Sequence, residues 1–360
     1  MIGTRPEAIK MNPVADALLA RGIVTRLVVT GQHPSLDVSA FGPGALPHIA
    51  LHCAGQEDPH AHVQAVTRAL LPLLDEAPDL LVVQGDTSSA LGAALAAFTA
   101  GVPVAHVEAG LRTHDPRLPW PEEEYRTAID AGADLLFAPT ELAAANLHSE
   151  QLPGEIHVTG NTGIDALIEA ERRLAPPALR DAGPTVLVTC HRRESWNDGL
   201  GSIAAAVREL GSDGAARIDV VLHPNGFVAE RMRALLVGAL GVTPLDPCSH
   251  SELLRRMRDA DLILSDSGGI QEEAPALGVP LLVLREKTER PEGIATGNSI
   301  LVGTDRARIV GEARRLLGDP TARSAMSRRV FPFGDGRAGD RIAGIIEDWL
   351  RERSLTKRLA

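Results

Sequence analysis

Residues 265–292 read SDSGGIQEEAPALGVPLLVLREKTERPE. The pattern predicts a strand over Leu262–Ser265, a glycine turn at 267–269, a helix, a second strand and a charged loop. The free N–H groups at a helix start attract phosphate, and glycine lets the backbone come close to it. Glu273 lies one helical turn further, where it can accept ribose hydroxyl protons, and Arg290 is placed as a second phosphate contact. The segment indicates a nucleotide-diphosphate site, although it has neither a P-loop nor the G-x-G-x-x-G pattern of a dinucleotide fold.

Short apolar segments alternate with amphipathic helical patterns along the whole chain. The apolar segments predict further strands at 24–30, 80–83, 104–107, 135–138, 156–158, 186–189, 220–222, 281–284 and 300–302. Helical patterns are clear at 63–74, at 140–147 with Thr140 as N-cap, and at 203–210. This alternation is typical of parallel α/β sheets that are covered by helices on both faces.

The proline- and alanine-rich stretch 174–184 interrupts this alternation and predicts a linker. We therefore expect two Rossmann-like, doubly wound α/β domains at 1–174 and 175–337, facing each other across a cleft. A C-terminal helix at 338–360 is expected to pack back across the N-terminal domain. Because ligands bind at the carboxyl ends of strands in such sheets, the active site is expected in the cleft.

The amino terminus departs from this pattern. Residues 3–5 resemble the turn after a first strand, yet only Met1 and Ile2 precede them. The first strand of a doubly wound sheet is usually central. We therefore expect the natural chain to begin several residues upstream.

Composition restricts the class of protein. A net charge of −11 argues against broad binding to nucleic acid or to an anionic membrane, and an aromatic content of 3% argues against stacked bases. The three scattered cysteines fit a reducing compartment and have no metal-ligand spacing. The sequence has no apolar run of membrane length and no signal peptide, so we expect a soluble, cytoplasmic protein.

Three carboxylates follow or precede predicted elements of the first domain. Asp86 follows the strand at 80–83, Glu108 comes directly behind the strand at 104–107, and Glu122 starts a helix. Each has an ordinary explanation: an N-cap for Asp86, a salt bridge with Arg112 for Glu108, and the helix dipole for Glu122. Their combination on the cleft side of one domain supplies several groups for proton transfer.

Cations accompany these acids. Arg5 and Lys10 lie in the first helix, which Thr4 is expected to cap, and are either contacts for a diphosphate or residues of a solvated helix start. His191 follows the first strand of the second domain and is either a phosphate or leaving-group contact or a hydrogen-bonded loop histidine. His223 is a weaker candidate of the same kind.

Taken together, these motifs resemble the non-hydrolysing UDP-N-acetylglucosamine 2-epimerases. The resemblance runs from Gly3 to about Ile345 and rests on GTRPEAIK at 3–10, HVEAGLRT at 106–113, WPEE at 120–123, HRRE at 191–194, DSGGIQEEAP at 266–275 and GDGRA at 334–338. It implies a glycosyltransferase-B-like fold and interconversion of UDP-N-acetylglucosamine with UDP-N-acetylmannosamine. It also implies a homodimer that acts on a UDP-sugar and needs no cofactor or metal.

The resemblance also implies roles for individual residues. The residues expected to hold UDP are Arg5, Lys10, His191, Ser267, Gly268, Gly269, Glu273 and Arg290. Those expected to act on the sugar are Lys10, Asp86, Glu108, Glu122 and His191.

The implied chemistry explains why several acids are needed. The C2 proton of the sugar has no adjacent carbonyl to acidify it, so its direct removal is very slow. Expulsion of UDP from C1 creates oxocarbenium character, which makes that proton removable and gives a 2-acetamidoglucal beside trapped UDP. UDP then adds back while a proton arrives at C2 from the other face, and this requires two groups.

Three departures from the family pattern affect these expectations. QHPSL at 32–36 stands where relatives show Gln-His-Arg followed by Glu or Gln and Met, which puts activation by a second substrate molecule in doubt. Tyr125 replaces the usual asparagine after the WPEE motif, and the region 248–253 lacks an aromatic residue near uracil.

Other functions remain open at this point. An epimerase of a modified UDP-2-acetamido sugar is one, since the motifs do not fix the 3- and 6-substituents. A glycosyltransferase of the same fold is another, although it has no need for three carboxylates. A nucleotide-sugar-binding regulator without catalysis is the third.

Overall fold

A computed structural model of the chain describes residues 1–33, 36, 46–76, 78–176, 183–190 and 198–359. The chain divides into two compact units. Unit 1 comprises Met1–Ala166 and Phe333–Ala360, and unit 2 comprises Leu167–Pro332. Each unit contains parallel β-sheet and α-helices, so the fold is α/β with two domains. No helix in these described ranges is long and apolar enough to cross a membrane.

Unit 1 holds the first six strands and the first and last helices. Its strands are β1 (Leu27–Val29), β2 (His48–Ala50), β3 (Leu81–Gln84), β4 (Val104–Val107), β5 (Leu135–Ala138) and β6 (Glu155–Val158). Its helices are α1 (Arg5–Ala20), α2 (Pro59–Leu70) with a 3₁₀ turn at Leu71–Glu76, α3 (Ser88–Ala100), α4 (Glu122–Gly132), α5 (Glu141–Ser149) and the final helix, α14 (Ala338–Leu359). Helix α6 (Thr162–Arg173) contains the division between the units.

The segment at Met1 and Ile2 joins the two parts of the unit 1 sheet. β1 pairs with β2, and β3, β4, β5 and β6 pair in that order, all in parallel. Ile2 forms a parallel bridge with Val29, and the Met1 nitrogen donates to the Val82 carbonyl over 3.0 Å. The segment thus lies between β1 and β3, the position expected of a central first strand.

Alternate residues of these strands face two helix layers. Ala105 and Val107 of β4 belong to a core with residues of α1 and α14, whereas Val104 belongs to a core with residues of α2, α3 and α4. Sheets buried on both faces have such continuous apolar strands. The start of α14 is held by Asp165 of α6, whose carboxylate accepts from the Ala338 and Gly339 amides.

Unit 2 contains one six-stranded parallel sheet. Its strands are β7 (Thr185–Thr189), β8 (Arg217–Val221), β9 (Val242–Leu245), β10 (Leu262–Ser265), β11 (Leu281–Val283) and β12 (Ser299–Leu301). Its helices are α7 (Asp198–Ser212), α8 (Gly226–Leu236), α9 (His250–Arg258), α10 (Gly268–Leu277), α11 (Glu292–Ala295), α12 (Arg306–Gly318) and α13 (Pro320–Met326). The order β12-β11-β10-β7-β8-β9 is doubly wound, and its direction reverses between β7 and β10.

The predicted elements agree with the structure except at sheet edges. Thr140 and Thr4 cap their helices as predicted, and Thr4 forms a capping box with Glu7. Strands β2 and β9 were missed because both are edge strands of mixed polarity, and β9 contains Pro244. Of the predicted linker, residues 177–182 lie outside the described residues.

Glu7 gives the first testable prediction. Burial raises the pKa of its carboxyl, and hydrogen bonds from Thr87, Thr4 and Gly3 offset only part of that effect. Folding therefore favours the protonated form, so this group's contribution to stability falls as pH rises through the raised pKa. Glu7→Gln removes this titration. In urea unfolding we expect the stability of the variant relative to wild type to be greater at about pH 8 than at about pH 5.

The exposed Glu124 provides the control, because Glu124→Gln removes the same charge from solvent. A relative stability of Glu7→Gln that does not change with pH, like that of the control, would contradict the prediction.

Candidate active site

Glu108 is held in a fixed, buried position at the end of β4. Its backbone has a φ of 71°, in the left-handed region that residues with side chains rarely adopt. Lys10 Nζ of α1 lies 2.8 Å from both carboxylate oxygens, and the Gln84 amide of β3 donates to Oε2. Strain of this kind persists only where surrounding contacts enforce it, and it is common at functional sites.

Asp86 lies beside a second buried cation. It follows β3, its side chain is 25% exposed, and it pairs with Arg126 of α4. The N-cap of α3 is Thr87, so helix capping does not account for Asp86. Arg126 also donates to Glu123 over 2.9 Å, and Glu123 accepts from the Thr113 and His114 amides.

One face of α4 connects these groups. Glu122, Arg126 and Asp130 are spaced by four residues and therefore share that face. Glu122 is the first residue of the helix and is partly exposed, whereas Arg126 and Asp130 are buried. Arg112, the alternative partner considered for Glu108, instead pairs with Asp130 and Glu150.

Two further residues of unit 1, Arg5 and Tyr125, were singled out from the sequence. Arg5 is exposed at the first position of α1, five residues before Lys10. Tyr125 is 1% exposed and its ring lies edge-on to His60, with ring centroids 5.7 Å apart. Tyr125 is thus part of the core beneath α4.

The glycine turn of unit 2 lies where the strand order reverses. Ser267 is the N-cap of α10, directly after β10, and in the described part of the chain its side chain makes no capping hydrogen bond. Gly268 is the first helical residue, and a Cβ at this position would lie 2.9 Å from Arg290 Nη1. Only glycine therefore lets the guanidinium lie against the helix start, next to Gly269, where the dipole attracts an anion.

Buried carboxylates fix the Arg290 guanidinium. Arg290 Nε donates to Glu272 over 2.6 Å, and Nη1 donates to Glu289. Glu289 also pairs with Arg285 over 2.9 Å. All four side chains are at most 7% exposed, and their formal charges sum to zero. A buried charge needs such partners, because an unpaired one is very costly.

Glu273 lies one turn into α10 and accepts a hydrogen bond from His250 Nε2 of α9 over 3.2 Å. His250 thus occupies the region 248–253 in which an aromatic residue was missing. His191 lies outside the described residues. The preceding residue, Cys190, directs its thiol to Asp266 over 3.4 Å, at the ends of β7 and β10. No cluster of three potential ligands is placed to hold a metal ion within the described ranges.

Sequence reasoning missed Gln84, Arg126 and His250. The four-residue spacing from Glu122 to Arg126 and the position of Gln84 beside Asp86 were available signals. The contact of His250 with Glu273 is made across 23 residues between two helices, and no local pattern indicates it.

Comparisons with known proteins agree with this architecture. The profile of the UDP-N-acetylglucosamine 2-epimerase family matches residues 17–347. The chain is 40% identical to UDP-N-acetylglucosamine 2-epimerase of Salmonella typhimurium, over 97% of this chain and 98% of the relative. It is 39% identical to that of Escherichia coli K12, over 95% and 96%.

Solved structures give the same result. UDP-GlcNAc 2-epimerase from Neisseria meningitidis, in a crystal structure bound to UDP-GlcNAc, aligns with a TM-score of 0.90 and 36% identity, covering 96% of this chain and 98% of that chain. Sucrose-phosphate synthase from Thermosynechococcus elongatus aligns with a TM-score of 0.60 at 16% identity, which shows the shared glycosyltransferase-B-like fold alone.

Doubly wound sheets, a helix start beside a buried arginine and carboxylates paired with cations are features that an enzyme acting on nucleotide-linked sugars would use. The extent of the similarity is decisive for the family. The chain belongs to the UDP-N-acetylglucosamine 2-epimerase family.

Two neighbouring glutamates give a second prediction. Glu123→Ala leaves the buried Arg126 with one carboxylate fewer and two amides without their acceptor, so we expect a loss of about 3–5 kcal/mol in unfolding free energy. Glu124→Ala removes the same charge from the exposed neighbouring position and is expected to change stability by less than about 0.5 kcal/mol. Urea unfolding measures both, and equal losses would contradict this account of Glu123.

Proposed function

We propose that this protein converts UDP-N-acetylglucosamine to UDP-N-acetylmannosamine by non-hydrolysing epimerisation at C2. The observation that carries the proposal is the arrangement in unit 1, where Glu108 and Asp86 are each paired with a cation from a neighbouring element. A transferase that replaces one bond at C1 has no need for this set of acids. Membership of the family supports the same conclusion.

The proposed reaction is an elimination followed by an addition. The C1–O bond to UDP breaks, the C2 proton passes to a carboxylate, and a 2-acetamidoglucal forms beside UDP. UDP then adds back at C1 while C2 takes up a proton on the opposite face. Asp86, Glu108 and Glu122 are the proposed proton-transfer groups, since inversion requires donors and acceptors on two faces. Lys10 keeps Glu108 oriented and compensates its charge.

The proposed role of unit 2 is to hold UDP while it leaves and returns. The N–H groups at the start of α10, from Ser267 to Gly269, and the Arg290 guanidinium stabilise the charge that develops on the pyrophosphate. Glu273, oriented by His250, accepts the ribose hydroxyl protons. Arg5, Lys10 and His191 are proposed as further UDP contacts, and His191 also as a catalytic group.

We further propose that the protein acts in the cytoplasm, which the sequence favours, and as a homodimer, which the family resemblance implies. Analytical ultracentrifugation of the full chain tests the assembly. A monomer at micromolar concentration would contradict it.

The central test is the reaction in deuterium oxide, followed by NMR of the sugar. We expect deuterium at C2 in both UDP-N-acetylglucosamine and UDP-N-acetylmannosamine. Epimerisation without deuterium at C2 would exclude the elimination mechanism. Binding of the substrate with neither exchange at C2 nor product would indicate a nucleotide-sugar-binding protein without catalysis. Transfer of the sugar to an acceptor would identify a transferase. Exchange only with substrates modified at the 3- or 6-position would identify the modified-sugar alternative.

A substitution pair tests the UDP site. Gly268→Ala places a Cβ against Arg290 Nη1 and displaces the guanidinium, so we expect UDP to bind at least about tenfold more weakly, as for loss of one charge-assisted contact. Gly226→Ala is the control, because Gly226 is likewise the first residue of its helix and a Cβ there meets nothing within 4 Å. Isothermal titration with UDP compares them, and equal affinities would contradict the role of Arg290.

A further inference from the structure

His106 lies close to the two candidate acids Asp86 and Glu108 but takes part in neither of their ion pairs, with Arg126 and Lys10. It precedes Glu108 by two residues on β4, and its side chain is completely buried. Nδ1 lies 2.6 Å from Asp130 Oδ1, and Nε2 lies 2.8 Å from the carbonyl oxygen of Gly85, the residue before Asp86. The imidazole thus connects α4 to the turn that carries Asp86.

Both ring nitrogens face acceptors. A backbone carbonyl has no proton to donate, so Nε2 must be the donor to Gly85. Asp130 accepts from the Gly110 amide over 3.1 Å and pairs with Arg112 over 2.8 Å, which makes it a carboxylate. With a carboxylate and a carbonyl as their partners, both ring nitrogens are placed to donate, which is the hydrogen-bond pattern of an imidazolium.

Gly85 is the point at which this network meets the acids. Its amide donates to the Val107 carbonyl over 3.0 Å, and its carbonyl accepts from His106. A Cβ on Gly85 would lie 3.9 Å from Glu108 Oε2, so the Glu108 carboxylate lies close to this turn. The φ of Gly85 is 66°, a conformation that glycine adopts without strain. The orientation of the peptide between Gly85 and Asp86 therefore depends on the hydrogen bond from His106.

Asp130 helps to position Glu108, the second candidate acid. It accepts from the amide of Gly110, two residues after Glu108, and so anchors the turn in which Glu108 has its left-handed conformation. The groups facing this network are Arg112 from the same turn, Glu150 after α5, and Arg126 one turn earlier on α4. The formal charges of this network sum to zero, because it contains two cations, His106 and Arg112, and two carboxylates, Asp130 and Glu150.

We propose that His106 is a positioning residue, held as an imidazolium between Asp130 and the Gly85 carbonyl, that sets the relative placement of Asp86 and Glu108. This inference rests on the proposed function for its catalytic consequence and on geometry for its protonation state. A displacement of about 1 Å of a reacting group is enough to lower a rate about 100-fold. The effect is expected in kcat, because His106 itself is buried away from the substrate.

Two amide variants separate the two hydrogen bonds. The amide of Gln reaches about as far as Nε2 of histidine, so His106→Gln keeps a donor for Gly85 and loses the charged donor to Asp130. The amide of Asn reaches only as far as Nδ1, so His106→Asn keeps a donor for Asp130 and leaves Gly85 without one. We expect kcat for C2 exchange to fall about 100-fold in His106→Asn, with KM little changed, and less than about tenfold in His106→Gln.

Leu136 supplies the control for destabilisation. It is the register partner of His106 on β5 and is fully buried, and Leu136→Ala creates a cavity without touching either hydrogen bond. We expect Leu136→Ala to lower thermal stability and to keep the wild-type kcat. Losses of kcat that follow thermal stability across the three variants would overturn the proposal, as would a larger loss in His106→Gln than in His106→Asn.

Nitrogen-15 NMR of wild-type protein labelled in its histidine rings tests the protonation state without catalysis. We expect two ring N–H signals for one buried histidine at neutral pH, both absent from the spectrum of His106→Gln. A single N–H on His106 would overturn the proposal. Absence of C2 exchange in the wild-type protein together with two N–H signals would instead reject the proposed function and leave the imidazolium in place.

Discussion

In a parallel sheet that is covered on both faces, the direction of strand addition reverses once, and the chains that leave the two strands at that point go to opposite faces. In unit 2 the reversal separates β7 and β10, and the turn after β10 begins α10. In unit 1 it separates the Met1–Ile2 segment from β3, so the start of α1 and the turn at Gly85 lie at the carboxyl ends of adjacent segments. Asp86, which follows β3, and Ser267, which follows β10, therefore lie where the reversal opens a crevice between the loops.

Buried charge is the second common feature. Arg126, Arg112, Arg285 and Arg290 are nearly inaccessible to solvent, and each is paired with carboxylates from its own unit. Such pairs contribute little net stability, because desolvation offsets most of their attraction. In the proposed function, their value is that the groups are already oriented before a ligand arrives, which lowers the reorganisation needed when charge develops in the reaction.

Residues that follow strands were predictable, and residues that reach a site through a helix face were not. The positions of Asp86, Glu108 and Ser267 follow from strand ends that the apolar pattern marks clearly, and Thr4 and Thr140 from local capping chemistry. Arg126 and His106 were not identified, because burial of a charged residue depends on partners that are distant in sequence. The edge strands β2 and β9 were not predicted for a related reason, since a half-exposed strand has little apolar pattern.

The four-residue spacing on α4 also restricts how this protein can change in length. Glu122, Arg126 and Asp130 lie on one line along the helix, from which Arg126 pairs with Asp86 and Asp130 pairs with Arg112. Insertion or deletion of one residue between them rotates everything beyond it by about 100° around the helix axis. An insertion between Glu122 and Arg126 moves both Arg126 and Asp130 off the shared face, whereas a point substitution alters the contacts of one residue only. Among natural relatives, insertions and deletions are therefore expected in the surface turns around α4 and not within the helix. A helix of constant length gives a reliable reference segment for aligning the sequences of distant family members.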